Sequence, residues 1–177
     1  VAGRRGRSRG LLRQAEALAR MAVPAFYTAV AMVLAAAPTG VPGLVAAVAL
    51  PQVVFWSVFR PGAMSPPVAF ALGLLLDLLT FAPLGGGILT LLLAHGLAVA
   101  SRRVLARQGG LLAWAAFIGF AAGAAAFGWL LMAVLSLSLP PVVPALHQAV
   151  LTAALWPAFA FILGRMHAMM LRAEEAA

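Results

Sequence analysis

From residue 21 onward the chain is a series of long apolar runs separated by short breaks of Pro, Gly and Arg. The runs cover about 21–34, 44–59, 63–82, 84–100, 111–139 and 142–164. Inside each run the apolar residues are continuous, without the two-residue alternation of a membrane β-barrel. A hydrocarbon core of about 30 Å needs about 20 apolar residues in helical form, and helices satisfy their own backbone polar groups in lipid. The pattern therefore predicts an all-α membrane protein, a single bundle of six transmembrane helices. Pro24 lies near the start of the first run, where proline is tolerated. Pro51 and Pro157 fall inside the second and sixth and predict kinks, with a freed carbonyl near Pro51 that Gln52 or Ser57 can satisfy. The fifth run is longer than one upright span and predicts tilt or projection.

Composition agrees: 64% of residues are hydrophobic, 9% are charged and mean hydropathy is +1.06. Soluble domains carry about 25% charged residues. The reading is a basic cytoplasmic tail (1–20), a transmembrane domain (21–164) and a second cytoplasmic tail (165–177), with no room for a separate soluble domain. A secretory signal peptide is the other reading of 21–34, because Ala35-Ala36-Ala37 has the form of a small-residue cleavage site. Pro38 would follow the cut, a position signal peptidases reject, and further spans come after it.

Charge then orients the bundle. The net charge is +8 and all 12 basic residues are Arg. They fall in the amino tail, at Arg60, at Arg102, Arg103 and Arg107, and at Arg165 and Arg172, which are the segments on one side of a six-span chain. The three breaks on the other side have none. Such asymmetry predicts both termini in the cytoplasm, with the arginines facing anionic lipid headgroups rather than nucleic acid. Trp56 and Trp114 fall near the inner interface and Trp129 near the outer one, which reads as an aromatic belt. The chain has no Cys, so disulfide and thiolate chemistry are excluded.

One acid lies within the long apolar runs. Of the 4 acidic residues, Glu16, Glu174 and Glu175 belong to the polar ends, and Asp77 sits in the third run. A charged side chain at mid-bilayer costs about 2.5 to 3.5 kcal/mol on insertion scales, so it faces other helices, water or a partner. At ~1.5 Å per residue Asp77 is ~20 Å above the inner end of its span. That puts it level with Thr90 and beside the start of the next helix, around Leu84 to Gly87. Unpaired amides and the positive dipole end of that helix favour a structural role for a carboxylate there, with a transport or catalytic role as the alternative. The first expects Asp77→Asn to be mild and Asp77→Ala or Asp77→Leu worse; the second expects Asn to fail as fully as Ala. His95 lies ~8 Å deeper, too far for a direct bond to Asp77.

Other chemistry is not visible. His95, His147 and His167 lie on separate segments without companions at metal-ligand spacing, and each reads as a packed or interfacial histidine. Gly85-Gly86-Gly87 has no Lys-Ser/Thr after it and is not a phosphate loop. No catalytic, cofactor-binding or metal-binding set emerges, so the expectation is a non-enzyme with no cofactor. Gly119 and Gly123, extended by Ala115, form a small face on the fifth run that suits close helix contact, either with a partner, with a second copy, or inside the bundle.

Between Pro51 and about Ala94 the chain resembles the rod-shape-determining membrane protein family MreD. The likeness is carried by Pro51, Phe55-Trp56, Arg60-Pro61, the run Ala69 to Leu79 with its Gly73-Leu-Leu-Leu-Asp77 core, and Pro83-Leu84-Gly85. The arginine-rich amino tail and the triple glycine depart from the family pattern. The resemblance implies a non-enzymatic scaffold of the bacterial inner membrane, multi-pass, within the elongation complex. It also implies binding to MreC and an indirect link from the MreB filament to RodA and its penicillin-binding transpeptidase, hence to peptidoglycan synthesis and cell shape. Pro61, Gly73, Asp77, Pro83, Gly85 and Thr90 are the motif residues to place. A second reading is the substrate-binding component of an energy-coupling-factor vitamin transporter, a family of the same size and span number. Ala25, Ala29, Ala31 and Ala35 resemble the small-residue helix of those proteins, whereas the short outer turns offer few polar groups for a vitamin.

Overall fold

The structure, a computed structural model, describes residues 22–175. The predicted amino-terminal tail, 1–20, lies outside the described residues. Six helices follow one another: α1 (Ala22–Ala35), α2 (Leu44–Phe59), α3 (Pro66–Thr80), α4 (Gly86–Leu105), α5 (Gly110–Ser136) and α6 (Val143–Glu175). Each apolar run became one helix, and no strand occurs among the described residues.

Helix ends differ from the sequence pattern for local reasons. The third helix starts at Pro66 rather than at 63, because the Ala63 and Met64 amides turn back to the Arg60 carbonyl and two prolines then open the helix. The fourth runs to Leu105, so Arg102 and Arg103 occupy its last turn instead of a loop, where cations complement the carbonyl end. The sixth continues through Glu175, so the segment expected as a separate tail from 165 is helix as far as it is described. Met, Ala, Leu, Arg and Glu beyond Gly164 are good helix formers, and nothing there breaks the ladder.

Helix α2 is the hub. All of its residues except Leu44, Ala46 and Phe59 are buried, and it packs against α3, α4 and α6. A helix apolar all round belongs in such a position. It runs through Pro51, and the Gln52 side chain donates to the Val48 carbonyl at 3.0 Å while Ser57 donates to Val53 at 2.6 Å. Trp56, expected at the lipid interface, is fully buried among α2 and its neighbours, with its ring edge-on to Phe55 at 5.2 Å. The other two belt tryptophans do lie nearer the surface, each tying its indole N–H to a carbonyl: Trp114 to Ala153 at 2.9 Å and Trp129 to Pro140 at 3.0 Å. Helix α5 is the opposite of α2. In its 27 residues only Phe117 and Ala121 are buried, Phe117 by stacking on Trp156 of α6 at 4.1 Å.

The outer faces of the bundle are apolar, with Phe26, Phe70, Leu130, Val134, Val150 and Phe161 all exposed. Water-soluble monomers seldom expose apolar patches beyond a few hundred Å². Among the described residues three helices, α4, α5 and α6, are long and apolar enough to cross a membrane. At 16 and 15 residues α2 and α3 extend ~24 and ~22 Å, shorter than a full ~30 Å core. Short connections make successive helices antiparallel. Arg60, Arg102, Arg103, Arg107 and Arg165 therefore gather at one end, where Arg60 Nε reaches His167 Nδ1 at 3.4 Å. The turns at the other end, 36–43, 81–85 and 137–142, contain no charged residue.

Candidate functional site

Asp77 organises the arginine-free end of the α3–α4 hairpin, and it does so with both backbone and side chain. Its carbonyl accepts the amides of Phe81 and Ala82, which ends α3 with Phe81 in the left-handed conformation (φ 52°). Its carboxylate accepts the next amides along: Oδ2 takes Gly85 N–H at 2.8 Å and Oδ1 takes Gly87 N–H at 2.6 Å. Two of the amides that a helix start leaves without partners are thus held by one anion at the positive end of the α4 dipole. Asp77 itself is 1% exposed.

The glycines explain how the carboxylate gets there. A Cβ on Gly73, one turn before Asp77, would stand 2.5 Å from Ile88 Cα, and one on Gly87 would meet Asp77 Oδ1, Leu76 and the Gly73 carbonyl. Gly73 and Gly87 are therefore the contact point where α3 and α4 nearly touch backbones. Gly85 has φ 111°, which only glycine adopts without strain. Gly86 has neither constraint. Pro83 supplies the carbonyl for Gly86 N–H at 3.3 Å. Thr90 is near, and its hydroxyl goes back to the Gly86 carbonyl at 2.8 Å rather than to Asp77, the local alternative open to a threonine one turn into a helix. Pro61 sits apart at the arginine end, in the turn after α2.

Behind Asp77 a cavity of about 450 Å³ reaches between α2, α4, α5 and α6. Leu76, Leu91, Leu131 and Leu135 supply much of its apolar wall; Thr80, Thr90, Gln148 and Thr152 supply polar atoms. Sequence reasoning missed Gln148 and Thr152 as site residues, although polar side chains within an apolar run are the signal that finds inward-facing positions. It also missed the pairing of Ser57 with His95, whose Oγ and Nδ1 lie 2.8 Å apart in the core. His95 is a packed histidine, as expected, and so is His167, surrounded by the rings of Phe55, Trp56 and Phe59. Gln52 Oε1 and Trp56 Nε1 are buried without a hydrogen-bond partner among the described residues.

The small face on α5 is open. Ala115, Gly119 and Gly123 are exposed, and a Cβ on either glycine would meet nothing within 4 Å. Gly119 and Gly123 line a groove between α5 and α4 with Leu93, Leu97, Phe120 and Phe127. Of the readings open in the sequence, close packing inside the bundle is the one this geometry does not support.

Compared with family models, curated proteins and solved structures, the chain matches none. Among the described residues no group of three or more metal-ligating side chains converges.

Proposed function

We propose that the chain is a six-span membrane scaffold of the MreD type, with both termini in the cytoplasm, that binds MreC and couples the MreB filament to RodA and its transpeptidase. The observation carrying this reading is the Gly73–Asp77–Gly85–Gly87 unit. Gly73, Asp77 and Gly85, from the stretch that carries the family resemblance, join Gly87 in building one helix hairpin, a use of a membrane carboxylate that calls for neither catalysis nor ion transport. The open α5 face gives such a scaffold a place to receive a transmembrane helix, since exposed small residues permit close backbone approach. The one-sided arginines support the orientation.

Two experiments test this. Reporter fusions at Pro38, Pro83 and Pro140 are expected to be active only outside the cytoplasm; cytoplasmic activity at all three contradicts the topology. Gly123→Leu is expected to reduce recovery of MreC without preventing insertion, because the added side chain fills the groove. Unchanged recovery from a stably inserted variant removes this face from the interface.

The cavity behind Asp77 favours one second reading, the substrate-binding component of a vitamin transporter, since about 450 Å³ is within the range of small-molecule sites. A ligand retained through purification, in place of MreC, distinguishes it.

A further inference from the structure

The polar atoms in the cavity wall share one property: nearly all their hydrogens are committed elsewhere. Thr80, Thr90 and Thr152 each donate the single hydroxyl hydrogen to a carbonyl one helical turn back, those of Leu76, Gly86 and Gln148. The Trp129 indole donates to Pro140. The amides of Gly85 and Gly87 are held by Asp77, and that of Gly86 by Pro83. Gln148 gives one amide hydrogen to Thr152 and keeps the other. What the wall has left to offer is acceptors, chiefly the hydroxyl oxygens of Thr80 and Thr90, with the buried charge of Asp77 behind them.

The charge balance has the same sense. Among the described residues Asp77 is the only charged one in the wall, and no Arg or His lines it. The α4 amides that would attract an anion are already occupied by Asp77, so an anionic ligand would meet a carboxylate and no free donor pair. An ammonium group, by contrast, brings three donors and a charge opposite to that of Asp77. The rest of the wall is apolar and suits a hydrocarbon body.

We propose that this cavity binds a small, mainly apolar organic cation, its ammonium group received by the threonine hydroxyl oxygens beside Asp77 and favoured by the charge of that buried carboxylate, its apolar part lying against the leucines of α3, α4 and α5. The scaffold role does not require such a ligand, and the test below needs no MreC, so its failure leaves that role standing.

The test is equilibrium dialysis of the full chain in nanodiscs of zwitterionic lipid, with empty nanodiscs to subtract partitioning. Three probes of similar shape are compared: 2-phenylethylamine, the neutral 2-phenylethanol and the anionic 3-phenylpropionate. The expected result is saturable binding of the amine, about tenfold tighter than the alcohol because its hydrogen bonds are charge-assisted, with no saturable binding of the acid. Asp77→Asn is expected to bring amine and alcohol within about threefold of each other. Ala125→Phe, which fills the cavity from α5 and leaves the Asp77 contacts alone, is expected to abolish saturable binding of the amine. Equal binding of all three probes, no saturable amine binding to the folded chain, or amine binding that survives Ala125→Phe would each overturn the proposal, including where Asp77→Asn fails to insert.

Discussion

Asp77→Leu is expected to lower the stability of the inserted protein by on the order of 2 to 6 kcal/mol, since the Gly85 and Gly87 amides each lose an acceptor at about 1 to 3 kcal/mol apiece. That is larger than the roughly 1 kcal/mol of an average substitution. The mechanism is specific: the leucine fits an apolar environment, so the loss comes from donors left unpaired at the start of α4 and from removal of the anion at its positive end. Asp77→Asn is expected to fall between wild type and Asp77→Leu. The two amides use different carboxylate oxygens, so a carboxamide keeps one bond and sets its own N–H₂ against the other donor. The sequence alone suggested a mild effect for Asn; the two-oxygen geometry makes it intermediate. Denaturant titration in detergent micelles measures the order. Equal losses for Asn and Leu would contradict the capping account and return Asp77 to the class of functional ionisable groups.

Gly73→Ala is expected to be nearly as damaging despite adding one methyl group. Its Cβ would fall 2.5 Å from Ile88 Cα and 2.9 Å from Ile88 N, and backbone cannot rotate away as a flexible side chain can. The helices must separate, at a cost of about 1 to 3 kcal/mol or more for overpacking. Separation also draws Asp77 away from the two amides, so the effects of Gly73→Ala and Asp77→Leu are expected to be less than additive in the double variant. Gly86→Ala, in the same glycine run, is the control: its nearest neighbour is Leu131 Cδ2 at 3.9 Å, and stability is expected to change by no more than about 0.5 kcal/mol. A Gly73→Ala protein as stable as the Gly86→Ala control would show that α3 and α4 do not meet as described.

Much of this was legible in the chain because the strongest signals in a membrane sequence are the longest. Six continuous apolar runs gave six helices, and a lone acid level with a helix start gave its own acceptor role. The precise lengths were not legible: α4 and α6 continue through arginines that mark a boundary in composition but do not break a helix. Trp56 was misplaced because an aromatic near a span end reads as an interface anchor, and only the packing of α3, α4 and α6 around α2 tells that this end is enclosed. The cavity was invisible for a related reason. It is made by five helices, and Gln148 and Thr152 lie more than seventy positions from Asp77 in the chain, a separation no local pattern spans.

The central claim, a scaffold that holds MreC in the membrane, is tested most directly by affinity purification of the tagged wild-type chain from membranes that also express the MreC of the same genome. MreC is predicted to be recovered with the chain through size exclusion, as one species. A stably inserted wild-type chain that leaves MreC in the unbound fraction would contradict the account.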